Sequence, residues 1–228
     1  MNRTTIIANA GEGKRWGNYL DVDKSEVIIE NKEPIIERTV RQLGLYQSSL
    51  YIVSDSPTVA GKTTRRPRNN PNWNEANKMF SSMPYWNQQG RTIILFGDTY
   101  FTDEAINKIM RHSEPGFYIF GRAFGSQFTG KSYGEIYAIS FYPENKDELI
   151  FALERASKLE ERGVIEKANV WAVYRAMLKL PDDLMNEHIV GSRFINIDDW
   201  TEDFDYPHDY DNFMINWKKI RGNLEKEK

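Results

Sequence analysis

Residue types able to do chemistry gather at a few places in this 228-residue chain. One is Thr4-Thr5-Ile6-Ile7-Ala8-Asn9-Ala10-Gly11-Glu12-Gly13-Lys14-Arg15-Trp16-Gly17, an apolar run that turns at once into a glycine-rich basic loop. Glycines let the backbone take positive φ and approach a ligand closely. Successive amides can line one concavity, and Lys14 and Arg15 add positive charge, so the segment suits phosphate. A second place is Thr92-Ile93-Ile94-Leu95-Phe96-Gly97-Asp98, where a carboxylate follows an apolar strand. A third is the acidic run Ile197-Asp198-Asp199-Trp200-Thr201-Glu202-Asp203-Phe204-Asp205, which leads through Pro207 into a helical pattern. Carboxylate oxygens are the hard ligands that Mg²⁺ takes.

Other chemistries are excluded or weakened. The chain has no cysteine, so disulfides, thiolate metal sites and cysteine nucleophiles are absent. His112, His188 and His208 lack metal-ligand spacing. Ser56-Pro57-Thr58-Val59-Ala60-Gly61-Lys62-Thr63 approaches a P-loop, but Ser56 replaces the first glycine and Pro67 would interrupt the helix that must follow the lysine. The opening loop lacks the third glycine of a dinucleotide fingerprint. A net charge of −3 gives no general attraction for nucleic acid. The basic stretch Lys62 to Arg68 comes with no nucleic-acid module, so no such partner is expected.

The elements that must position these residues are visible as patterns. Apolar runs predict buried strands at Thr4–Ala8, Leu50–Val53, Thr92–Phe96, Phe117–Phe120 and Glu135–Phe141. Helices are predicted after Pro34, ending at Gly44 as a C′ residue; over Asp103–His112, capped by Thr102; over Asp147–Glu161, ending at Gly163; and over Lys167–Leu178. The alternation predicts an α/β fold with a mainly parallel sheet and helices on both faces. Ligands of such sheets bind beyond the carboxyl ends of the strands, where the opening loop and Asp98 lie. Residues 54–71 read as a long loop, and Lys218–Lys228 as a charge-dense tail that frays after a single domain of 1–217. The first residues are too polar for a secretory h-region, and no apolar stretch approaches the ~18 residues of a membrane span. A cytoplasmic protein with no membrane partner is expected.

Ala10-Gly11-Glu12-Gly13-Lys14-Arg15 fits the AGxGxR signature of nucleotidyltransferases that join an NTP to a phosphorylated small molecule. Downstream, Asp23-Lys24-Ser25-Glu26-Val27-Ile28-Ile29-Glu30-Asn31-Lys32-Glu33-Pro34-Ile35-Ile36-Glu37 resembles the family's lysine, short strand, turn and helix start. Asp23 stands where proline is common, as in the molybdenum-cofactor guanylyltransferase branch, and Glu33 is inserted between Lys32 and Pro34. Gly97-Asp98 matches the position of the family's first metal-binding aspartate. The terminal acidic run is similar to its "DIDTPEDY", with Asp205 on the second metal ligand. Asn70 to Ser82 is more loosely similar to a segment of the choline-phosphate branch that borders the base pocket, which brings in Asn77 and Ser81.

The resemblance implies a nucleotidyltransferase with a three-layer α-β-α, Rossmann-like GT-A fold and a mostly parallel mixed sheet. It implies Lys24 and Arg15 as catalytic residues, and Ala8, Asn9, Ala10, Gly11, Glu12, Gly13, Lys14, Arg15, Asn77 and Ser81 around the nucleotide. Asp98 and Asp205 would bind Mg²⁺, and the partners would be an NTP and a phosphorylated acceptor such as a sugar phosphate. The alternatives are a GT-A glycosyltransferase, with Asp203-Phe204-Asp205 as an Asp-x-Asp motif, and a non-catalytic nucleotide-binding member. The identity of the base and acceptor, the oligomeric state, and the participation of Lys32, Glu135 and Asp203 stay open.

Overall fold

The structure, a computed structural model, describes residues 2–9, 13–54, 63–64 and 79–226. Ala10, Gly11, Glu12, Asn77 and most of the 54–71 loop lie outside the described residues. Among the described residues, the strands of the main sheet are β1 (Arg3–Asn9), β2 (Ser49–Ser54), β3 (Thr63–Thr64), β4 (Arg91–Phe96), β6 (Tyr118–Arg122), β7 (Glu135–Phe141) and β8 (Phe194–Asn196). Their order across the sheet is β3-β2-β1-β4-β7-β6-β8. The ladders β3–β2, β2–β1, β1–β4 and β6–β8 are parallel, and β7 runs antiparallel to both of its neighbours. A small ribbon of β5 (Thr99–Tyr100) and β9 (Glu202–Asp203) stands beside the sheet.

Both faces of the sheet are covered, which is why the central strands read as unbroken apolar runs instead of alternating patterns. Ile6, Ile94, Ile119 and Ile139 face a core shared with α3 (Lys146–Glu161) and α4 (Val170–Met177). Ile7, Ile93, Leu95 and Phe120 face the other core, shared with α1 (Ile35–Leu43) and α2 (Asp103–Arg111). A third cluster joins Trp16, Val27, Ile35, Tyr100, Phe128 and Phe204 to Phe213 of α5 (Pro207–Lys226), so the amino-terminal segment and the carboxyl-terminal helix pack together. The result is the expected three-layer α/β sandwich with a mostly parallel mixed sheet. Among the described residues, no helix is long and apolar enough to cross a membrane.

The local expectations hold with some shifts. Thr102 caps α2, its hydroxyl accepting from the Ala105 amide at 3.0 Å. Gly163 follows α3 at φ +69°, as a left-handed C-terminal glycine should. Gly44 differs: it follows α1 in the right-handed region at φ −61°, so its conformational freedom is not used there. The helix predicted from Lys167 starts at Val170, because the Asn169 side chain accepts from the Ala172 amide and sets the cap there. The predicted short strand after Lys24 is reduced to one bridge between Ile28 and Pro34. Thr63–Thr64, read as loop, adds a parallel strand to β2, and α5 continues through Lys226 where a fraying tail was expected.

Candidate active site

The carboxyl ends of β1 and β4 open onto a cleft of about 860 Å³. Because β7 is antiparallel, its first residue, Glu135, lies at the same edge of the sheet. Ala8 and Asn9, at the end of β1, line the cleft, as do Gly13 and Arg15. Gly13 takes φ +59°, and its carbonyl accepts from the amides of Trp16 and Gly17, both at 2.9 Å. Trp16 is buried, with its indole N–H donating to the Val22 carbonyl at 2.9 Å, and so anchors the turn that presents Arg15. Lys14 is exposed and is not among the described residues that line the cleft.

Gly97 carries the chain from β4 to Asp98. A Cβ at this position would come within 2.8 Å of the Asn9 Cβ, so only glycine lets the two strand ends approach so closely. The β5–β9 ribbon then pairs Thr99 with Asp203, which brings the third acidic segment next to Asp98. Lys24 opens a short 3₁₀ turn, Lys24–Glu26, and its ammonium forms an ion pair with Asp98 and stands 3.5 Å from Asp205. Arg15 donates to Asp205 at 2.7 Å, with its guanidinium 5.3 Å from the ring centre of Tyr206. Lys24, Arg15, Asp98 and Asp205, chosen from distant parts of the sequence, thus meet at one point. Ser81 also lines the cleft, alongside buried Ser82.

Sequence reasoning left Glu135 and Asp203 open and missed Lys131 and Asp209. Carboxylate oxygens of Glu135, Asp203 and Asp205 lie within 4.8 Å of one another. Lys131 pairs with Asp203 at 2.7 Å, Glu135 at 3.0 Å and Asp209 at 3.6 Å. The Asp209 carboxylate accepts from the amides of Asp205 at 3.1 Å and Tyr206 at 2.9 Å, which orders the turn into α5. The four-residue spacing of Lys131 and Glu135 was the available signal, but a lysine in a glycine-flanked loop reads as solvated.

Charge is concentrated here at low dielectric. Burial alone would lower the pKa of the Lys24 ammonium, but Asp98, Asp205 and Asp203 together hold it above the usual lysine range. Burial would raise Asp98, and Lys24 reverses this, keeping the carboxyl below its ordinary value. Asp203 is pushed up to about 7 by burial, with Lys131 opposing and Asp205, Asp98 and Glu202 adding to the rise. Glu135 is raised well above the carboxylate range by burial and by Asp203, against the pull of Lys131. The hard oxygen donors of Glu135, Asp203 and Asp205 are of the kind that can hold a divalent cation, and Lys131 offsets part of their charge.

No protein-family model matches the chain, and no curated protein matches it. Solved structures do. A chain from Bacillus anthracis assigned as a glucose-1-phosphate thymidylyltransferase aligns with a TM-score of 0.60 at 12% identity, covering 94% of this chain and 95% of its own. The CTP:phosphocholine cytidylyltransferase of Streptococcus pneumoniae aligns at 0.59 and 12% identity, covering 94% and 99%. An inositol-1-phosphate CTP transferase from T. maritima aligns at 0.55 and 13% identity, covering 96% of each chain. At such identities the likeness is one of fold, and it extends over nearly the whole chain.

Proposed function

We propose that this chain is a cytoplasmic nucleotidyltransferase, with residues 1–217 as its catalytic domain, that condenses an NTP with a phosphorylated small molecule and releases pyrophosphate. The observation that carries this reading is the meeting of Lys24 and Arg15 with Asp98 and Asp205 at the carboxyl edge of the sheet. The three structural neighbours, by the reactions in their names, support the same class.

An oxygen of the acceptor phosphate would attack the α-phosphorus as the bond to the bridging oxygen breaks, and pyrophosphate would leave with the electron pair. Such a step needs positioning and neutralisation of charge more than a covalent nucleophile. Arg15 and the backbone near Gly13 would hold the β- and γ-phosphates, and Lys24 would stabilise charge developing at the α-phosphate. Ala8, Asn9 and Ser81 would border the nucleotide. Asp98 and Asp205, with Asp203 beside them, would hold Mg²⁺, which when bound offsets charge on the phosphates.

A screen of the four NTPs against phosphorylated acceptors, with Mg²⁺ and a pyrophosphate readout, tests the reading. Release that requires both substrates is expected. Silence across the panel, with NDP released from a nucleotide sugar, would favour a GT-A glycosyltransferase instead. Asp98→Asn should lower kcat by ~10²-fold, the scale of removing one electrostatic group at a reacting phosphate; near-wild-type turnover would take Asp98 out of the mechanism.

A further inference from the structure

Beside the acid group, the cleft is lined by Trp171 and Arg175 of α4. The Trp171 indole N–H donates to the carbonyl of Gly134 at 3.2 Å, which ties the start of α4 to the residue preceding Glu135. Arg175 follows four residues later, so it shares a face of the helix with Trp171 and stands one turn, ~6 Å, further along. The cations around the acid group each have a carboxylate partner: Lys24 pairs with Asp98, Arg15 with Asp205 and Lys131 with Asp203. Arg175 forms no ion pair with a carboxylate among the described residues.

Its one hydrogen bond among the described residues runs from Nη1 to the Glu187 carbonyl at 2.6 Å, and its Nε is buried without a partner. The Nε–Nη2 edge, a fork whose spacing suits the two oxygens of a carboxylate or a phosphate, is thus uncommitted. Burial lowers the pKa of the guanidinium, with only the exposed Glu187 carboxylate acting against this, yet the group keeps its charge. A half-buried charge with a sheltered, unused donor is costly, and holding one carbonyl does not call for a guanidinium. We infer that Arg175 determines acceptor specificity by binding an anionic group, so that the acceptor carries, besides the phosphate that reacts, a second acidic group, a carboxylate or a phosphate, at the far end of its chain.

The inference rests on the proposed function for where the reacting phosphate lies, but its test reads binding and needs no turnover. The full chain, with Mg²⁺ present, is titrated calorimetrically with alkyl phosphonates, ω-carboxyalkyl phosphonates and alkane bisphosphonates, each as a series of increasing chain length. At a matching length, a probe with a second acidic end should bind ~10-fold tighter than its alkyl counterpart, the scale of a charge-assisted hydrogen bond. The tighter of the two acidic series tells carboxylate from phosphate. Arg175→Met and Arg175→Gln, each checked for folding by circular dichroism, should lose the preference. Arg175→Lys, which keeps the charge without the fork, should retain part of it. Equal binding in the wild type at every length, or a preference that survives in a folded neutral variant, would overturn the inference. Should neither neutral variant fold, the wild-type comparison decides alone. A preference that depends on Arg175, in a protein that releases no pyrophosphate with any substrate pair, would refute the proposed function and leave the anion site standing; pyrophosphate release alongside equal binding would do the reverse.

Discussion

Replacing Lys24 with methionine removes one ammonium while keeping most of the side chain's bulk. In the wild type that ammonium serves Asp98 and Asp205, whose side chains are 22% and 12% exposed. Removing one partner of a fully buried pair costs about 3–5 kcal/mol, because the remaining charge has no counter-ion. Partial exposure and the Arg15 contact to Asp205 reduce this to about 2 kcal/mol at pH 7. With a urea slope of about 2–3 kcal/mol/M, the unfolding midpoint should fall by about 0.7–1 M. The pH dependence identifies the cause. Asp98 titrates below its ordinary value in the wild type because Lys24 outweighs burial. The stability this lends is present above the unfolded carboxyl pKa of about 3.9 and is lost as pH falls through the depressed folded value. Without Lys24, burial dominates and the folded pKa moves above the unfolded one, so the variant loses stability as pH rises from about 4 toward 7. The gap between the two proteins must therefore be smaller at pH 4 than at pH 7. Urea unfolding followed by tryptophan fluorescence at both pH values reads it. An equal gap at the two values, or none at pH 7, would refute the reasoning. Turnover should also fall by ~10²-fold, and a destabilised variant with wild-type kcat would confine Lys24 to a structural role.

Arg122→Met should cost about 3–5 kcal/mol in urea unfolding, since the buried guanidinium donates to the carbonyls of Asp199 at 2.9 Å and Thr201 at 2.8 Å and lies 3.6 Å from fully buried Glu202. A loss no larger than that of an exposed arginine would contradict this. Gly97→Ala forces a Cβ against Asn9 and should destabilise by about 1–3 kcal/mol while displacing Asn9 at the cleft; an unchanged midpoint would show that the two strand ends can part freely. His112, with both ring nitrogens buried and unpartnered, has its pKa lowered by burial and by Arg91. The unfolded chain then binds more protons between that depressed value and about 6.5, so stability should fall as pH drops from about 7 through this window. His112→Phe should remove that slope, and its persistence in the variant would point to another group.

The strands and their rough limits were legible because burial on both faces writes itself into a local run of apolar residues, as in Ile6-Ile7 and Ile93-Ile94-Leu95. Helix α2 was legible for a similar reason, since the Thr102 cap and the order of acids and bases are local. The direction of β7 was less so. Its composition is the same either way, and only the loop 123–134, which makes the connection from β6 without a crossover helix, permits an antiparallel neighbour. The ribbon strands β5 and β9 are two residues each, too short for any periodicity to appear.

By itself, the sequence determined which residues could carry phosphate and cation chemistry, because glycine spacing, charge type and apolar runs are properties of short segments. Tertiary structure alone decided which of them meet. Lys24 reaches both Asp98 and Asp205 because β5 pairs with β9, and Arg15 reaches Asp205 because Trp16 packs in the same cluster as Phe213 of α5. Lys131, an ordinary loop lysine by its neighbours in sequence, becomes a saturated counter-ion only because the chain folds Asp203 and Glu135 around it. Burial and register between distant segments set these contacts, and no local pattern encodes either.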